Sequence, residues 1–157
     1  VPALGGETQF ASTRTAYERL SQETKDLLEP LLVVHDYVYS RSKVAPVDAN
    51  HAASLPPSRQ KLVRTNPGTG KKNYYVGSHA KLVAGWEEHI GQGLLQDLLE
   101  QATREEHVYT HTWEVGQVVI WDNRCLLHRG LGYDADMFRR KMRQTRVAGN
   151  CSTLREP

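Results

Sequence analysis

A chain of 157 residues, 39% hydrophobic and 24% charged, has the size and make-up of one ordinary soluble domain that needs no disulfide staples. Twenty Lys and Arg against eighteen Asp and Glu leave a formal charge of +2, too even to argue for a nucleic-acid or membrane-surface partner. No apolar run approaches the roughly 20 residues of a membrane helix, and nothing reads as a signal peptide, so a cytoplasmic protein with no nucleic-acid or membrane partner is expected.

The two cysteines, Cys125 and Cys151, cannot form a disulfide framework and read as reduced thiols. The chain starts at Val1 rather than Met, as expected of a processed product or an excised piece. Gly5-Gly6-Glu7-Thr8 is a turn signal. Ser12 or Thr13 can cap a short helix reaching Leu20, and Ser21 can cap the next. That second helix carries Leu27, Leu28, Leu31, Leu32 and His35 at helical spacing, with a kink or break expected at Glu29 because Pro30 falls inside the pattern. Residues 40–60, with Pro46, Pro56 and Pro57, read as a loop.

Lys61–Thr65 reads as a strand, Asn66–Gly70 as a turn and Asn73–Val76 as the returning strand. The spacing of Leu94, Leu95, Leu98 and Leu99 predicts a helix over about 88–104. Strands are expected at Val108–Trp113, at Val118–Trp121 and from Arg140 through Val147, ending at Ala148-Gly149. Helices early and paired strands late favour an α+β or mainly β architecture over alternating βαβ units.

Glycine-rich phosphate loops, Cys-x-x-Cys, His-Glu-x-x-His and Gly-x-Ser-x-Gly are all missing from the sequence. His107 and His111 could share a helix face, but on the expected strand they would stand roughly 13 Å apart, a poor ligand pair. In Val118–Gly130 an apolar run leads into Asp122-Asn123-Arg124, polar groups that need partners if buried, and then to His128. His128 is either a hydrogen-bonded structural histidine or a metal ligand. The basic run Arg139-Arg140-Lys141-Met142-Arg143 either turns cations inward toward an anion or forms a solvated edge. Cys125 reads as a buried filler, and His79 as a loop or helix-start hydrogen-bonding residue.

Four stretches, in order, carry a resemblance: Gly5-Gly6-Glu7-Thr8; Tyr75-Val76-Gly77-Ser78-His79-Ala80; Val108–Trp113; and Trp121-Asp122-Asn123-Arg124 with His128, followed by Arg140-x-Met142. Together they resemble the TauD/TfdA family of Fe(II)- and 2-oxoglutarate-dependent dioxygenases, with wording closer to the dichlorophenoxyacetate-like branch. The resemblance implies a double-stranded β-helix (a cupin-like jelly roll) with flanking helices, here incomplete. Residues 1–157 then form a single family domain lacking its amino-terminal part.

By the same resemblance His128 is an iron ligand of a two-His, one-carboxylate triad. Arg140 pairs with the far carboxylate of 2-oxoglutarate, with Arg139 the weaker alternative, and Thr8 helps hold the same cosubstrate. Trp121 is implied to pack near the iron rather than to act chemically. A second arginine of the family pattern falls on Gln144, beside Arg143. No histidine of this chain is followed two residues later by an acid, so the His-x-Asp or His-x-Glu of the triad is absent. A small, anionic organic substrate is implied for the complete enzyme, with negligible turnover by this chain alone. The alternative is a non-catalytic remnant or interaction module that keeps the scaffold.

Overall fold

The computed structural model describes residues 1–148 and Leu154. Cys151 and the expected strand end at Gly149 lie outside the described residues. The chain opens with β1 (Thr8–Ser12), α1 (Thr13–Glu18) and α2 (Gln22–Leu28). The capping serines do what their chemistry allows: Ser12 Oγ accepts from the Thr15 N–H at 3.2 Å and Ser21 Oγ from the Thr24 N–H at 3.1 Å. Pro30 brings a break rather than a kink. Helix α2 stops at Leu28, and Leu32–His35, expected on the helix, is strand β2. A leucine pair on either side of a proline satisfies helical spacing, but it also suits a helix that ends and a strand that starts.

Asp36 then caps α3 (Tyr37–Ser42). The segment 40–60, expected as loop, contains α4 (Ala49–Ser54), capped by Asp48, and most of β3 (Ser58–Lys61). Strands β4 (Val63–Thr65) and β5 (Lys72–Tyr74) form the expected hairpin, with β3 and β4 parted at Leu62. After β6 (Ala80–Val83) comes α5 (Glu88–Ala102), whose Leu95 and Leu98 are buried while Leu94 and Leu99 pack at the margin. A 3-10 turn, Glu105–His107, leads to β7 (Val108–His111), and β8 is Leu126–Gly130.

The pairings are antiparallel throughout: β7-β1-β8, β3-β2-β6 and β4-β5. The architecture is α+β with antiparallel sheets, compatible with a jelly-roll-like plan. Its core gathers Leu28, Val33, Leu62, Tyr74, Val83 and Leu98, none more than 2% exposed. Such burial is worth about 1.5–3 kcal/mol for each aliphatic side chain. Tyr74 keeps its hydroxyl satisfied there by donating to the Leu98 carbonyl at 2.9 Å.

Two expected strands do not form. Val118–Trp121 and Arg140–Val147 have no regular structure, and Val118, Ile120 and Val147 are 83%, 91% and 95% exposed. An apolar run becomes a strand only with a neighbour to take its backbone hydrogen bonds, and no described residue pairs with either run.

Candidate active site

Register in the β7-β1-β8 sheet decides which side chains meet. Thr8 stands opposite His111 on one side and Gly130 on the other; Phe10 stands opposite Tyr109 and His128. Paired residues share a face and neighbours along a strand alternate. Thr8, Phe10, His111 and His128 therefore project from one face. On the other, Gln9 bridges Thr110 at 3.1 Å and Arg129 at 2.8 Å, while buried Ala11 and its partner Leu127 turn toward the core.

The Thr8 face borders an open groove of about 1160 Å³, lined among others by Thr8, Trp113, Trp121, His128, Arg139 and Arg140. His128 is open to the groove, with the Trp121 ring 5.1 Å away and the Phe10 ring 6.4 Å away between centroids. Phe10 meets Trp121 edge-on at 5.4 Å. Burial by this aromatic wall, and then the charge of Arg146, hold the His128 imidazole below its ordinary pKa and favour the neutral ring.

Gly5-Gly6 turns the chain into β1 with φ of +77° and +75°, values that suit glycine. Arg140 lies against Gly6 and is half-buried, and its Nε is buried with no hydrogen-bond partner among the described residues. Arg139 is exposed. The Asp122-Asn123-Arg124 turn satisfies itself. Arg124 binds the Asp122 carboxylate through Nε and Nη2 at 2.8–3.1 Å, which holds that carboxyl below its usual range, and Trp121 Nε1 donates to Asn123 Oδ1 at 2.8 Å.

Cys125 is buried, its pKa pushed up by desolvation, yet its surroundings are not apolar: Arg14 Nη2 donates to its sulfur at 3.3 Å. His79 is a hydrogen-bonding residue, its Nδ1 2.5 Å from Ser40 Oγ. His107 Nδ1 meets the Gln101 carbonyl at 3.2 Å, away from any metal set.

Sequence reading passed over Trp113 as a groove residue and His111 as its neighbour. Trp113 Nε1 donates to Thr8 Oγ1 at 2.9 Å, and the His111 ring stands perpendicular to the indole at 4.6 Å. Their signal was the strand register, which a single sequence leaves open.

The groove suits an organic acid: an unpaired guanidinium nitrogen and a threonine hydroxyl are hydrogen-bond donors that match a carboxylate. It does not by itself suit iron, since no cluster of three His, Cys, Asp or Glu among the described residues could hold a metal.

An antiparallel β scaffold thus carries one groove lined by Thr8, His128 and Arg140. The family model for the taurine catabolism dioxygenase TauD, TfdA family matches residues 1–146, and the chain belongs to that family. It is 42% identical over 147 residues to the alpha-ketoglutarate-dependent 2,4-dichlorophenoxyacetate dioxygenase of Cupriavidus pinatubonensis, covering 92% of this chain and 51% of that protein. It is 35% identical to the (S)-phenoxypropionate/alpha-ketoglutarate-dioxygenase of Sphingobium herbicidovorans, covering 96% of this chain and 55% of that one. Among solved structures, AAD-2 in complex with Mn(II) and N-oxalylglycine superposes with a TM-score of 0.90 at 39% identity, covering 98% of this chain and 61% of that one. The chain spans about half the length of the curated relatives it matches.

Proposed function

We propose that this chain is the 2-oxoglutarate-binding part of an Fe(II)- and 2-oxoglutarate-dependent dioxygenase that hydroxylates a small, anionic organic substrate. The names of its relatives favour an aryloxyalkanoate. The observation that carries the reading is the convergence of Thr8, His128 and Arg140 on one groove, with the Arg140 Nε buried and unpaired. In this reading the β7-β1-β8 sheet is one part of a double-stranded β-helix.

Arg140 receives the far carboxylate of 2-oxoglutarate through its planar guanidinium, and the Thr8 hydroxyl donates to the same carboxylate. When bound, 2-oxoglutarate supplies, through its decarboxylation to succinate, electrons for the reduction of dioxygen. His128 offers one imidazole nitrogen toward iron, its ring orientation set by Phe10 and Trp121. The other ligands of the complete enzyme are a His-x-Asp or His-x-Glu pair outside these 157 residues. A non-catalytic scaffold is the second reading, favoured by the single histidine in the groove.

Calorimetric titration of the chain with 2-oxoglutarate, with no metal added, is expected to give saturable binding that Arg140→Met weakens more than about tenfold. Fe(II)-dependent succinate release by the chain alone is expected to be negligible, and robust release would overturn the incomplete-site reading. Absence of 2-oxoglutarate binding would leave only the scaffold reading.

A further inference from the structure

A threonine hydroxyl carries one proton and two lone pairs, so what it offers a ligand depends on what already occupies it. The Trp113 indole nitrogen lies 2.9 Å from Thr8 Oγ1. An indole N–H only donates. Thr8 is therefore the acceptor in that bond, and its own proton must point elsewhere.

Thr8 is 8% exposed and borders the groove, and among the described residues no acceptor takes that proton. Trp113 is itself held in place. His111, the partner of Thr8 across β1 and β7, stands at 90° to the indole with centroids 4.6 Å apart, and its Nε2 is buried without a partner among the described residues. The edge of one ring against the face of the other leaves the indole little freedom to turn. Arg140, whose Nε is buried without a partner among the described residues, lines the same groove as Thr8 and Trp113. A guanidinium and a hydroxyl proton on one groove suit an oxygen anion.

We propose that Trp113 is a positioning residue whose indole N–H turns the Thr8 hydroxyl into a committed donor to a 2-oxoglutarate carboxylate. The inference rests on the reading of Thr8 and Arg140 as the carboxylate-binding pair. A freely rotating hydroxyl would aim lone pairs at the anion in some of its rotamers; the Trp113 bond disfavours those rotamers and leaves the proton to the ligand.

The test is calorimetric titration with N-oxalylglycine of the wild-type chain, Trp113→Phe, Thr8→Val, the double variant and Arg140→Met. Trp113→Phe, which keeps an aromatic ring but loses the N–H, is expected to weaken binding roughly three- to tenfold. The double variant is expected to bind no more weakly than Thr8→Val alone, because Trp113 acts through Thr8. Wild-type affinity in Trp113→Phe, or losses that multiply in the double variant, would overturn the inference while leaving the carboxylate site intact. No binding by the wild-type chain, or an unaffected Arg140→Met, would overturn the carboxylate site and the inference with it.

Should Trp113→Phe not fold, the indole ¹H–¹⁵N resonance of Trp113 decides. It is expected to move on N-oxalylglycine addition to the wild type and not on addition to Thr8→Val. A resonance indifferent to the ligand would overturn the inference.

Discussion

Gly6 and Arg140 lie in contact: a Cβ at Gly6 would stand 3.4 Å from both Cδ and Nε of the arginine and 3.3 Å from Pro2 Cγ. The Gly6 φ of +75° also disfavours any L side chain. Gly6→Ala is expected to cost about 1–2 kcal/mol of stability and to push the guanidinium out of line, weakening 2-oxoglutarate binding. Gly5→Ala is expected to cost more stability, because its Cβ would stand 2.6 Å from the Gly132 carbonyl oxygen, a backbone atom that cannot swing away. Urea unfolding and calorimetry on both variants check this. Unchanged affinity in Gly6→Ala would mean that Arg140 accommodates the methyl group.

Asp36 joins three elements. It caps α3 by accepting the Tyr39 N–H at 3.1 Å, receives Lys81 Nζ from β6 at 3.0 Å, and donates its own N–H to the His79 carbonyl at 2.8 Å. Burial raises its carboxyl pKa, but the Lys81 and backbone hydrogen bonds outweigh it and hold the group below the usual range. Asp36→Ala is expected to cost about 2–3 kcal/mol in urea unfolding, and Asp36→Asn, which keeps the cap, about 1 kcal/mol. Because the folded pKa is lowered, this contribution is present above the unfolded carboxylate value and is lost as pH falls through the folded one. Equal costs for Ala and Asn would assign the whole effect to Lys81.

His35 gives the opposite group type the same direction of pH dependence. Its ring packs 5.0 Å from Tyr75, and its Nε2 is buried without a partner among the described residues. Burial first, then the charges of His79 and Arg64, push its pKa down to about 4. The unfolded chain binds the proton more readily, so this histidine contributes fully above about pH 6.5 and loses that contribution as pH falls from there toward about 4. The slope is at most about 1.4 kcal/mol per pH unit. His35→Phe is expected to flatten the stability profile in that window, read by urea unfolding between the two limits. A profile of unchanged slope would place the titration elsewhere.

The elements legible in the sequence are those whose signals are local. Ser12 and Ser21 cap their helices, the Asn66–Gly70 turn closes its hairpin, and the leucines of α5 mark its buried face. Leu32 and His35 were misplaced on a helix because hydrophobic spacing across Pro30 does not distinguish a continuing helix from one that yields to a strand. The motif residues Thr8, His128 and Arg140 were legible through the family resemblance, and all three border one groove. Trp113 was not, because its bond to Thr8 spans 105 positions and follows from a strand register that one sequence does not encode locally.

The exposed apolar run at 118–121 gives a last expectation. Ile120 is 91% exposed and Val118 83%, so a charge at either position displaces no packed neighbour. Ile120→Lys is expected to change stability by less than about 0.5 kcal/mol, whereas Leu62→Ala, at a side chain with 0% exposure, is expected to cost about 2–5 kcal/mol. Contiguous exposed apolar surface also binds hydrophobic dyes. Ile120→Lys is therefore expected to lower anilinonaphthalene sulfonate fluorescence, and Leu62→Ala, which loosens the core, to raise it. Urea unfolding with a parallel dye titration separates the two effects. A loss above about 2 kcal/mol in Ile120→Lys would mean that the 118–121 run is packed in solution, by a second copy or by a rearranged edge of the β7-β1-β8 sheet.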